Sequence, residues 1–147
     1  MDFAGGVRFA TAPGERIARA FALLLEVESR PEATTVVTIR MVDSIEGAYD
    51  YPLVGYPQEA YCLTVDDGIT IEAVDEIGVI HAVQTLVQLS EGWNDGLRRL
   101  ERCIITDWPA FKLRGYMHDV GRSFISYEAL RRQLLLFARF KVNTFHF

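Results

Sequence analysis

The sequence predicts an α+β domain followed by a strand–helix–strand unit, and three observations carry that prediction. Tyr61–Val65 and Ile69–Ala73 alternate in hydropathy on either side of Asp66-Asp67-Gly68, the pattern of a two-stranded hairpin. Apolar residues recur at helical spacing through residues 17–25, and again at Val79, Val83, Leu86 and Val87. After Thr106 the order is strand, amphipathic helix, strand, which demands parallel pairing and a right-handed crossover. The expected division is residues 1–106, a small sheet with two helices on one face, and residues 107–147, the strand–helix–strand unit.

In chain order, residues 7–10 read as a short first strand. Ile17, Phe21, Leu24 and Leu25 then give a helix an apolar face, with Pro13 in its first turn and Arg30-Pro31 as its end. Residues 34–42 are rich in β-branched side chains and read as a central strand. Residues 43–60 lack periodicity and contain Gly47, Pro52, Gly55 and Pro57; they read as a surface loop, with a ligand-facing or interdomain loop as the alternative. After the hairpin, Asp75 caps a helix running to about Ser90, with Gly92 as its stop. His81 is read as a surface or half-buried residue of that helix. Asn94-Asp95-Gly96 marks a turn, and residues 100–106 a further strand. Asp107-Trp-Pro-Ala-Phe is a linker with its aromatics pinned between the two parts. Residues 116–120 form the next strand. Ser126 caps a helix whose Leu130, Leu134, Phe137 and Ala138 face the sheet, and residues 142–147 form a strand of the buried type.

Composition narrows the function classes. Half of the 147 residues are hydrophobic, and two Trp, six Tyr and nine Phe are ample for a core. The net charge of −5 and the absence of a basic block argue against a nucleic-acid partner. The most apolar stretch, residues 20–25, is too short to cross a bilayer, so no membrane partner is expected. No basic run followed by an apolar run opens the chain, so no signal peptide is read. Cys62 and Cys103 are two buried thiols or one bridge, the thiols being the plainer reading. Asp66-Asp67-Gly68 is no calcium loop, because Val65 occupies a position that would need an oxygen ligand. His81, His118 and His146 lack metal-ligand spacing, and no nucleophile elbow or phosphate loop is present. Neither a metal nor a cofactor is expected.

Candidate chemistry collects after residue 107. Read alone, Asp119 and Arg122 are a structural ion pair at a strand's end, or an arginine fork held by a carboxylate for a ligand's hydroxyls. The run Asp107-x-Pro109-x-Phe111-x-x-Arg114-Gly115-x-x-x-Asp119-x-x-Arg122-x-Phe124, followed after a helix by Lys141-x-Asn143-x-x-His146, resembles the opening of the catalytic barrel in family-20 β-N-acetylhexosaminidases. Gly78, Gln84-Thr85-Leu86 and Gln88-Leu89 resemble the end of the smaller domain before that barrel. Residues 60–147 carry the likeness in sequence, and the first 60 by expected architecture. One departure is Ser123, where many relatives have His.

The resemblance implies that residues 107–147 open a (β/α)8 barrel, supplying only its first strand, helix and second strand. Ligands in such barrels bind at the carboxyl ends of the strands. It further implies that Arg122 grips hydroxyls of the terminal sugar, with Asp119 orienting its guanidinium. His146 matches the first His of the second-strand motif and is a third substrate-binding candidate, against the plainer reading of a satisfied strand histidine. The parent would remove terminal GlcNAc or GalNAc from glycans by substrate-assisted retaining catalysis. The family's Asp-Glu pair belongs to a later strand, so this chain holds no catalytic residue and is expected to be inactive alone. Its unclosed barrel would leave an apolar edge open to self-association. The resemblance points to a periplasmic or secreted parent. A non-catalytic carbohydrate-binding or scaffold module is the alternative reading.

Overall fold

The structure is a computed structural model that describes residues 5–48, 57–90 and 100–147. Strands β1 (Val7–Phe9), β2 (Thr35–Met41), β3 (Tyr61–Val65), β4 (Ile69–Ala73) and β5 (Cys103–Asp107) form one mixed sheet in the order β1-β2-β4-β3-β5. β1, β2 and β4 run parallel, whereas β3 is antiparallel to both β4 and β5. The hairpin expected around Asp66-Asp67-Gly68 is present, with Val65 paired to Ile69. β2 is an internal strand, as its β-branched run requires.

Helix α1 (Glu15–Ala20) continues as one π turn over Phe21–Leu25 and ends at Glu26, whose φ of 53° is left-handed. This is earlier than Arg30-Pro31, and the cause lies in the strand beside it. Val7 N donates to Glu28 O and Arg30 N to Val7 O, so residues 28–30 satisfy the outer edge of β1 instead of extending the helix. Pro13 precedes the cap residue Gly14 and is not in the first turn.

Helix α2 (Glu76–Ser90) begins where Asp75 Oδ1 accepts from Gly78 N at 2.8 Å. Both helices cover one face of the sheet. Ile17, Phe21 and Leu25 from the first meet Val79, Val83 and Leu86 from the second over Val7, Val37, Leu63, Ile69 and Ile71. Gly78 permits the close approach of α2, since a Cβ there would lie 2.7 Å from Ala60 O.

The second face carries Ile45, Ala48 and Ala60, packed with Val42, Cys62, Val74 and Trp108. Part of the aperiodic stretch is therefore a cover for the sheet. The tyrosines of that stretch, Gly92 and Asn94-Asp95-Gly96 lie outside the described residues. Cys62 and Cys103 are free and half-buried. Cys62 pairs with Thr106 and Cys103 with Val65, which puts the two thiols on opposite faces and excludes a bridge between them.

Strands β6 (Gly115–Met117) and β7 (Thr144–His146) form a separate parallel pair, joined by α3 (Tyr127–Arg139). Ser126 caps α3 by accepting from Ala129 N at 3.2 Å. Phe137 packs on Tyr116 and Phe145, with ring centroids 4.8 and 5.8 Å away. Leu134, expected on that face, is 42% exposed, and the strands are shorter and more open than their hydropathy implies. A strand with two apolar faces is fully buried only when both faces are covered, and α3 covers one.

Candidate functional site

The parallel pairing places the expected residues at one end of the unit. Asp119 and Arg122 follow β6, and His146 closes β7 opposite Met117, so all three lie at the strands' carboxyl ends. Asp119 Oδ1 accepts from Gly121 N at 3.0 Å, which tightens the turn and fixes the carboxylate. Its Oδ2 lies 3.1 Å from Arg122 Nε. The Arg122 side chain stays 89% exposed, with its guanidinium available to hydroxyls of a ligand. An ion pair this exposed contributes little to stability, about 0–1 kcal/mol. His146 has an exposed side chain, and its carbonyl accepts from His118 N at 2.9 Å. Among the described residues no hydrogen bond or ion pair joins His146 to Asp119 or Arg122. No group of three His, Cys, Asp or Glu side chains able to hold a metal ion occurs among them either.

At the amino ends of the same strands, two polar clusters tie the unit to the sheet domain. Arg114 is the hub of the first. Its Nε donates to Lys141 O, its Nη1 to Phe111 O (both 2.7 Å), and its Nη2 to Glu59 Oε2 at 2.6 Å. Glu59 Oε2 is also 2.9 Å from His81 Nε2, and His81 Nδ1 is 2.9 Å from Gln84 Oε1. Arg114 Nη2 also lies 3.3 Å from His81 Nε2, so the buried ring is held between the guanidinium, Glu59 and Gln84. The Arg114 and Glu59 side chains are 17% and 10% exposed. Asn143 locks the backbone beside them: its Oδ1 accepts from Arg114 N and its Nδ2 donates to Lys112 O.

In the second cluster Lys141 Nζ donates to Asp107 Oδ2 (2.6 Å) and to Tyr61 Oη (3.0 Å). Tyr61 Oη also meets Thr85 Oγ1 and Asp107 Oδ2. Lys141 reaches this position from a left-handed backbone, φ 58°. Burial pushes the Tyr61 hydroxyl above its ordinary range, against the pull of the Lys141 and Thr85 bonds. For Lys141 burial acts downward, but the bonds to Asp107 and Tyr61 outweigh it and hold the ammonium above its usual range.

Sequence reasoning missed this seam. His81, expected at or near the surface, is 4% exposed, because α2 turns it inward onto Glu59. Glu59 sits in a stretch without periodicity. Asp107, Arg114, Lys141 and Asn143 all belong to the motif quoted above, and their polar character inside a largely apolar run was the available signal.

Residues 11–108, two thirds of the chain, match the sequence profile of Glycosyl hydrolase family 20, domain 2. A beta-hexosaminidase of Vibrio furnissii is 42% identical over 88 residues, which span 59% of this chain and 14% of that protein. A beta-hexosaminidase of Emericella nidulans is 38% identical over 115 residues, 75% of this chain and 19% of that one. Among solved structures, the GH20 exo beta-N-acetylglucosaminidase of Vibrio harveyi in complex with N-acetylglucosamine superimposes with a TM-score of 0.71 at 26% identity. That match covers 99% of this chain and 22% of the other. The beta-N-acetylhexosaminidase of Bacteroides fragilis NCTC 9343 gives a TM-score of 0.74 at 25% identity, covering 99% and 29%. The chain thus spans between about a tenth and a third of the length of the relatives it matches.

Proposed function

The chain belongs to glycosyl hydrolase family 20, and from that membership we propose that it is the front part of an exo-acting β-N-acetylhexosaminidase. Residues 1–106 are the small α+β domain. Residues 107–147 supply the first strand, helix and second strand of a (β/α)8 catalytic barrel. The observation carrying this reading is the parallel pair β6–β7 with Asp119, Arg122 and His146 together at its carboxyl end, where barrels of this kind bind ligands.

In this reading Arg122 donates to hydroxyls of a terminal N-acetylhexosamine and Asp119 holds it in direction. His146 lines the same end. Catalysis is substrate-assisted, with the 2-acetamido oxygen attacking the anomeric carbon while an acid protonates the leaving oxygen. Asp75-Glu76 cannot supply that acid, because Asp75 caps α2 in the sheet domain. The apolar surface of the tail, including Met117, Phe124, Tyr127 and Phe147, is where further barrel strands and helices would pack, and the isolated chain is expected to self-associate through it.

Two assays test the reading. Purified 147-residue chain, free of host hexosaminidase, should turn over no aryl β-N-acetylglucosaminide, whereas full-length protein should release the aryl group. Turnover by the short chain, or none by the full-length protein on GlcNAc and GalNAc glycosides alike, overturns it.

A further inference from the structure

We propose that Arg114 is a positioning residue for the Asp119–Arg122 end of the strand pair, and that Glu59 of the sheet domain sets where it stands. The activity arm of this inference rests on the hydrolase reading above. Arg114 directly precedes β6, and its guanidinium spends each of its three nitrogens on a different stretch of chain. Nε holds the approach to β7 through Lys141 O, Nη1 holds the segment before β6 through Phe111 O, and Nη2 holds Glu59. Its backbone completes the frame: Arg114 N donates to Asn143 Oδ1, and Arg114 O accepts from Asn143 N and Thr144 N. Movement of β6 against β7, or of Arg114 against Glu59, strains at least one of these bonds.

Glu59 is the fixed end. His81 Nε2 lies 2.9 Å from its carboxylate and stands on α2, the helix that contributes Val79, Val83 and Leu86 to the core. Apolar packing alone would set the spacing of the two parts but tolerate sliding. A planar fork on three separate acceptors also sets direction and register. The strand transmits that setting, because an extended chain is stiff along its axis and β6 is only three residues long. A shift at Arg114 is carried along β6 to the turn that holds Asp119 and Arg122, and misplacement by about 1 Å of a substrate-holding group costs on the order of a hundredfold in rate.

The test uses Glu59→Gln, which keeps the side chain's shape, and Arg114→Lys, which keeps the charge but not the fork. Arg102→Ala, which removes an exposed pair with Asp66 and Asp67 on the hairpin, is the control. In full-length protein assayed well below its melting temperature, both seam variants should lose about tenfold or more in kcat/KM, and the control nothing. In the 147-residue chain, backbone amide shifts of residues 118–122 should move in both seam variants and stay in place in the control. If folded Glu59→Gln and Arg114→Lys enzymes keep kcat/KM within about twofold while melting lower, the seam is structural only and the inference fails. Should wild-type full-length protein show no turnover, the hydrolase reading falls by itself, and the amide shifts still decide: unmoved shifts at residues 118–122 overturn the positioning role.

Discussion

Gly78 and Arg122 are opposite kinds of residue, one defined by what it leaves out and the other by what it reaches. Alanine is the better helix former, by roughly 0.8–1.0 kcal/mol in a helix interior. At Gly78 that preference is overridden, because the added methyl would sit 2.7 Å from Ala60 O and 3.2 Å from Ala73 Cβ. Gly78→Ala should therefore destabilise by about 1–3 kcal/mol, the range for overpacking a filled core, and chemical denaturation checks it. Arg122→Ala should do the reverse. Its ion pair is exposed, so the stability of the chain should change by no more than about 1 kcal/mol. In full-length protein, losing two charge-assisted bonds of about 1.5–3 kcal/mol each should lower kcat/KM by roughly two to four decades. A folded Arg122→Ala enzyme within about fivefold of wild type would remove Arg122 from the site. Arg122→Lys should recover little, since an ammonium lacks the planar fork.

Between β3 and the turn before β7, Tyr61 and Lys141 give the seam an alkaline limit. Both groups titrate higher in the folded chain than their ordinary values of 10.0 and 10.5. A group whose folded value is raised contributes fully below its ordinary value, and the contribution is lost as pH climbs through the raised one. The seam should hold unchanged through neutral pH and weaken above about pH 10, as the pH climbs past the ordinary values of the two groups toward their raised ones. Melting of the 147-residue chain at about pH 9 and about pH 11 measures this. The drop between the two should be smaller in Tyr61→Phe, which has no phenolic proton to lose; an equal drop would place the alkaline sensitivity elsewhere.

Across the whole molecule, the proposed division near residue 106 and the polar seam between the sheet and the tail make one consequence measurable. The main core cluster includes no residue after Ile105, and the tail is held to the sheet and α2 by polar bonds from Arg114 and Lys141 and by Gln88 Nε2 donating to Arg139 O. Limited proteolysis should release residues after about 106 and leave the sheet domain resistant. Lys141→Met should speed that cleavage severalfold without changing protection of the β3–β4 hairpin. Equal cleavage rates in both proteins would show that Lys141 does not hold the tail.

Local chemistry was enough for much of this fold. The hairpin around Asp66-Asp67-Gly68, the Asp75 and Ser126 caps and the β6-α3-β7 order each depend on residues close in sequence, where turn chemistry and side-chain period act directly. The order β1-β2-β4-β3-β5, the early end of the first helix and the cover formed by Ile45 and Ala48 were not legible. Each is settled by which backbone edge or apolar face finds a partner far along the chain. The same holds at the site. Asp119 and Arg122, three residues apart after one strand, were legible as an ion pair, and their sugar-binding role is a proposal that comes from the family resemblance. The Glu59–Arg114, His81–Glu59 and Tyr61–Lys141 contacts join residues separated by 55, 22 and 80 positions. No pattern in a polar residue's neighbours announces such a partner. Only the packing of α2 and the tail against the sheet, which withdraws these groups from water, makes the pairing necessary.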